Sequence, residues 1–205
     1  PGTASYFGGG GIQYWGPEAS FALEKRAVAS PVPTYIIKYS IGGVGMSPSY
    51  GNNTFSPYQR GQAFDSMCSV IDAAIAGLSG TGLTPVLQTC CGIFNESDSF
   101  YISHAHAVEH DLPVFADMLR SQYNANMKVI MTQTKDTLGS GVTSASPGML
   151  PYVDVVRYGQ QQFTYVNALN RLIDVDDLAS GNDSPGHYDR VVIPTIGQRF
   201  FAAEA

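Results

Sequence analysis

Short apolar runs alternate along this chain with longer amphipathic stretches, and that alternation restricts the fold more than any other feature. The runs at residues 34–39, 85–89, 129–132 and 172–175 have strand length and are rich in β-branched, aromatic and aliphatic residues. Between them, Phe64, Met67, Ile71, Ala74 and Leu78 recur at helical spacing, which predicts a helix over 62–78 closed by Gly80. Leu112, Phe115, Leu119 and Tyr123 mark a second helix, with Pro113 expected to interrupt it. Gly16-Pro17-Glu18 reads as a helix start, with proline at the first helical position and an acid in the first turn. Strands separated by helices give an α/β domain with a mostly parallel sheet. In such sheets ligands bind beyond the carboxyl ends of the strands. The loops at Gly42 and Gly43, at residues 95–98 and at residues 183–187 each follow an apolar run and are expected to share that edge.

At 205 residues with 44% hydrophobic content, the whole chain fits one domain, 1–205, with a sizeable core. A net charge of -6, with only 11 lysines and arginines scattered along the chain, argues against a nucleic-acid partner. No apolar run reaches the roughly 18 residues of a membrane span and no signal peptide opens the sequence, so no membrane partner is expected. Cys68, Cys90 and Cys91 are an odd set with two adjacent members, and read as buried thiols rather than as a disulfide or zinc framework. No cofactor is expected. Sequons at Asn52, Asn95 and Asn182 would place glycans on the loops of interest. They favour a bacterial or viral source or a compartment without N-glycosylation, and the expected location is extracellular, cell-surface or virion-associated.

The segment Gly181-Asn182-Asp183-Ser184-Pro185-Gly186-His187-Tyr188 sets an acid and a histidine on one short loop before a C-terminal apolar helix. Such a pair serves an external nucleophile: the acid holds the imidazole in one tautomer, and the imidazole takes a proton from a hydroxyl supplied elsewhere. The same residues also make an ordinary surface turn.

The loops in order are Gly16-Pro17-Glu18-x-x-Phe21, Ile37-Lys38-x-x-x-Gly42-Gly43, Asn95-Glu96-Ser97-Asp98, Val175-Asp176-Asp177-Leu178 and His187-Tyr188. This order resembles the sialate O-acetylesterase-like branch of the SGNH (GDSL) hydrolases over nearly the whole chain. The resemblance implies a three-layer α/β/α (flavodoxin-like) domain that removes acyl groups, commonly acetyl groups, from sugars through Ser, His and Asp. It implies His187 as general base, Asp183 as the acid that orients it, and an oxyanion hole using a backbone N–H of Gly42 or Gly43 with Asn95. The partner would be an acylated carbohydrate.

Three departures accompany it. The family's nucleophile lies in a Gly-x-Ser-Asn type motif ending a first strand upstream of Gly-Pro-Glu. Here that region offers Gly2-Thr3-Ala4-Ser5, with Ser5 the candidate nucleophile but no apolar strand before it. A separate N-terminal segment or a larger assembly is therefore expected to complete the sheet and supply the serine. The family's Gln-Gly-Glu-Ser-Asp is Phe94-Asn95-Glu96-Ser97-Asp98 here, so Asn95 would donate to the oxyanion only with the loop shifted by one residue; otherwise Asn95 and Asp98 shape a turn and cap the next helix. Asp183 also stands one residue further from His187 than the family's acid does.

Two other readings use the same sequence. A non-catalytic descendant would bind glycans or serve as a structural module, with the tyrosines and Asn52, Asn53 and Gln59 available for sugar contacts. His106-Ala107-Val108-Glu109-His110 fits His-x-x-Glu-His, a zinc peptidase pattern. It needs a third ligand, and the only later glutamate is Glu204. Asp174, Asp176 and Asp177 are expected to end a strand, and no metal site is assigned.

Overall fold

The computed structural model describes residues 16–28, 32–48, 54–58, 62–135, 151–179 and 188–205. Among these residues, three parallel strands form a sheet: β1 (Thr89–Gly92), β2 (Lys128–Thr132) and β3 (Asn170–Ile173), in that spatial order. Thr89 lies opposite Lys128 and Val129 opposite Asn170. The helices are α1 (Pro17–Ala27), α2 (Gln62–Gly80), α3 (Ile102–Gln122), α4 (Val153–Val166) and α5 (Ile193–Glu204), and a short 3-10 turn, Ser97–Phe100, precedes α3. Helices α3 and α4 are the crossovers that parallel pairing of neighbouring strands requires.

Alternate residues of β2 separate the two layers. Val129 and Met131 join Phe64 of α2, Leu112 and Phe115 of α3 and Phe163 of α4 in one buried cluster. Ile130 points the other way, into a second cluster with Ile173 and with Ile196 and Phe200 of α5, against which Phe21 of α1 packs. The domain is therefore α/β with helices on both faces of a parallel sheet. Leu112, Phe115 and Leu119 are fully buried, each contributing about 1.5–3 kcal/mol by leaving water.

That burial explains one departure from expectation. Helix α3 continues past Pro113 without a break. The lost backbone donor costs one intrahelical bond, while the apolar stripe on both sides of it stays packed. The layers approach closely where glycine permits it. A Cβ on Gly159 of α4 would sit 2.8 Å from the backbone nitrogen of Glu109 in α3, and one on Gly197 of α5 would strike the Pro17 carbonyl and Ser20 Oγ of α1.

Other boundaries shift. The second expected strand pairs over Thr89–Gly92 rather than 85–89; Pro85 has no N–H to give a ladder. Helix α2 continues through Gly80, and its turn closes at Gly82, which has φ 84° and donates to the Ser79 carbonyl at 2.9 Å. Residues 34–39, expected as a strand, keep a strand's alternation: Ile37 and Tyr39 pack on the α3-side cluster, while Ile36 and Lys38 are exposed. They form no ladder among the described residues.

Candidate functional site

The loops after residues 34–39 and after β1 meet at the carboxyl edge of the sheet, held together by a buried carboxylate. Asp98 is fully buried. Both its oxygens accept the Met46 backbone N–H at 3.0 Å, and one also accepts the Ser47 N–H at 3.2 Å. Asn95 Nδ2 donates to the same carboxylate at 2.9 Å. Burial pushes the Asp98 pKa above the usual carboxylate range, while the donors from Asn95, Met46 and Ser47 pull against that shift.

The network continues inward. Gln160 on α4 donates to Asn95 Oδ1 at 3.1 Å and to the Thr132 carbonyl at 3.2 Å, and accepts the Thr134 N–H at 2.9 Å. This glutamine is fully buried, so its bonds offset the large cost of burying an amide. Loop 42–47, loop 94–98, the end of β2 and the middle of α4 are thereby fixed to one another.

Asn95 is the described non-glycine residue with a positive φ, 81°. Asparagine tolerates this left-handed backbone better than most residues do. Its side chain is turned inward to Asp98 and Gln160. Phe94 packs its ring edge-on to Phe55 at 4.9 Å and to Phe115 at 5.8 Å. Gly42 and Gly43 are exposed, and a Cβ on either would meet no atom within 4 Å. Gly43 has φ 71°. Their backbones border open space on the same edge as Asn95. Ser5, Asp183 and His187 lie outside the described residues.

Tyr188, the neighbour of His187 in sequence, is described. Its hydroxyl is buried close to Thr132 Oγ1, the two adjoining without hydrogen-bond geometry. Burial, then the Glu96 and Asp176 carboxylates, push its phenol well above the ordinary tyrosine range. Glu96 is half-buried; desolvation, and after it the charge of Asp98, push it up to about 7. Asp111 is pushed up to about 6, first by burial and then by Asp98, against a weak 3.5 Å bond from Ser56 Oγ. Burial and a neighbouring charge shift carboxyls in this way both at functional sites and in structural networks.

The histidine motif lies on α3, one turn of helix from His106 to His110, both exposed. No group of three metal-ligating side chains gathers among the described residues. The acids after β3 are engaged in structure: Arg157 grips Asp176 at 2.7 and 3.0 Å, Arg199 grips Asp177 at 2.6 and 2.7 Å, and Asp174 accepts the Asp176 N–H at 2.9 Å.

Gln160 escaped the reading by sequence because α4 itself did. The signal was present: Val153, Val156, Gln160 and Phe163 follow helical spacing, which sets Gln160 on the buried face.

The fold defines the class as an α/β domain with a parallel sheet between helical layers. No protein-family profile matches the sequence, and no curated protein matches it. Among solved structures, the chain is similar to a protein from Arabidopsis thaliana determined by X-ray crystallography at 1.6 Å, with 15% identity and a TM-score of 0.53 over 71% of this chain. The match spans 53% of the plant protein, about half its length, and the likeness concerns the fold alone. No described helix is long and apolar enough to cross a membrane.

Proposed function

We propose that this chain is the body of a carbohydrate esterase that removes O-acyl groups, in the first place O-acetyl groups, from sugars. The observation that supports this reading is the clamp from Asp98 to the Met46 and Ser47 backbone, which ties the segment carrying the exposed Gly42 and Gly43 to the turn after β1. Acyl transfer needs backbone donors held in fixed positions where an oxyanion develops.

In this reading a serine hydroxyl, from Ser5 or from an upstream segment, attacks the ester carbonyl while His187 takes its proton and Asp183 holds the ring. The N–H groups of Gly42 and Gly43 bind the oxyanion. His187 returns the proton to the departing sugar oxygen, and water then releases the acyl group by the same route. Asn95 contributes by holding the loop through Asp98 and Gln160.

A second reading, a non-catalytic glycan-binding or structural module of the same fold, has its own support. Phe94 fills the position of a polar residue and packs into the core, and Asn95 faces inward. Labelling the native material with a fluorophosphonate probe, with intact mass measured under denaturing conditions, separates the two. A modified serine on this chain or on a co-purifying segment supports the esterase. Complete absence of label from active-concentration protein supports the module.

A further inference from the structure

Two histidines of the His-x-x-Glu-His motif take no part in the clamp or in the network around Gln160, and α3 holds them in a defined arrangement. His106 and His110 are four residues apart in one continuous helix, so their Cβ atoms stand about 5–6 Å apart on one face. Both side chains are exposed. The side chains that pack α3 into the domain, Val108, Leu112, Phe115 and Leu119, occupy the opposite face. That buried stripe fixes the backbone beneath the pair, so little freedom is lost when both rings take one ligand.

Neither ring serves the fold. Histidine is a mediocre helix former, and no hydrogen bond or ion pair engages either ring among the described residues. His104 differs from them: it is buried, and its ring lies 4.9 Å from that of Tyr101. The charge around the pair favours a cation. Helix α3 carries Glu109, Asp111 and Asp117 against Arg120 alone, and the sequence has no Lys or Arg between Arg60 and Arg120. Arg120 is itself taken up by the Met127 carbonyl, Asn170 and Asp117. Such a surface concentrates positive ions.

We infer that His106 and His110 chelate a late first-row divalent cation such as Zn²⁺ or Cu²⁺, with one nitrogen of each imidazole about 2.0–2.1 Å from the ion. Imidazole suits these ions, whereas Mg²⁺ and Ca²⁺ take oxygen donors. No third metal-ligating side chain gathers with the pair among the described residues. The rest of the coordination shell is therefore open, and the pair is a binding site rather than the three-ligand centre of a peptidase. The inference stands apart from the esterase reading, which uses neither histidine.

The test is isothermal titration of the tag-free chain with Zn²⁺, repeated on His106→Ala, His110→Ala and the double variant. All three replace exposed side chains, and unchanged circular dichroism checks the fold. The expected result is uptake of a single ion per chain by the parent protein. Each single substitution should weaken that uptake by about tenfold or more, since losing even an outer-shell partner of a metal costs that much. The double variant should bind no worse than either single one, because one lost ring already breaks the chelate. Uptake that survives both substitutions would overturn the inference and place the ion elsewhere, with Cys91 the exposed alternative. So would the loss of half the bound ions with each single substitution, which marks two independent imidazoles, or no uptake at millimolar Zn²⁺. None of these readouts involves catalysis, so they are separate from the outcome of serine labelling.

Discussion

The backbone N–H of Met46 donates to the carboxylate of Asp98 across 52 residues of sequence, at 3.0 Å and fully buried. It joins a loop that has no ladder among the described residues to the 3-10 turn after β1. Substituting Asp98→Ala leaves the Met46 and Ser47 donors buried without an acceptor and should cost about 3 kcal/mol. Urea unfolding measures that loss, and amide exchange in residues 42–47 should accelerate with it. Asp98→Asn should be intermediate, since it keeps one acceptor oxygen.

Gln160→Leu should destabilise the fold by about 2–4 kcal/mol, although leucine suits a buried helix face. It strips partners from Asn95 Oδ1 and the Thr134 N–H at once. Thermal unfolding in a double-mutant cycle with Asn95→Ala should give strong coupling, because both substitutions break the same bond.

The Glu96 carboxyl, raised from 4.5 to about 7, gives stability a pH dependence of definite sign. The folded state holds the proton more tightly than the unfolded chain, so the contribution is complete below about 4.5 and is lost as pH rises through about 7. Asp111, raised to about 6, acts in the same direction. The melting temperature should therefore fall between pH 5 and pH 8, and Glu96→Gln should flatten much of that fall. An unchanged slope in the variant would assign the dependence to other groups.

Gly197→Ala should destabilise by about 1–3 kcal/mol, since the added methyl meets the Pro17 carbonyl, which α1 cannot move without shifting against α5. Gly43→Ala meets no atom within 4 Å. Its cost comes from the positive φ alone and should be about 1 kcal/mol. Calorimetry on the two variants tests that ordering.

What the sequence reveals here follows from how local the physics is. Strand β2 is legible because Val129, Ile130 and Met131 are apolar on both faces, and α1 because Pro17 and Glu18 announce it. The strand expected at 85–89 is displaced because periodicity marks the apolar run while pairing with Lys128 to Met131 decides which residues form the ladder. Pro113 misleads because a long buried stripe outweighs one lost hydrogen bond. At the site, Asn95 and Asp98 are visible as a polar loop, yet their inward orientation depends on Gln160 and Met46, 65 and 52 residues away. No local pattern records those partnerships.

The esterase reading is tested most directly by acetate release from an O-acetylated oligosaccharide by the native material, compared with the same material carrying His187→Ala. The account predicts release that rises with pH as an imidazole deprotonates, and a loss of about a thousandfold or more in the variant. Equal release by both proteins, or sugar binding without any release, would contradict it.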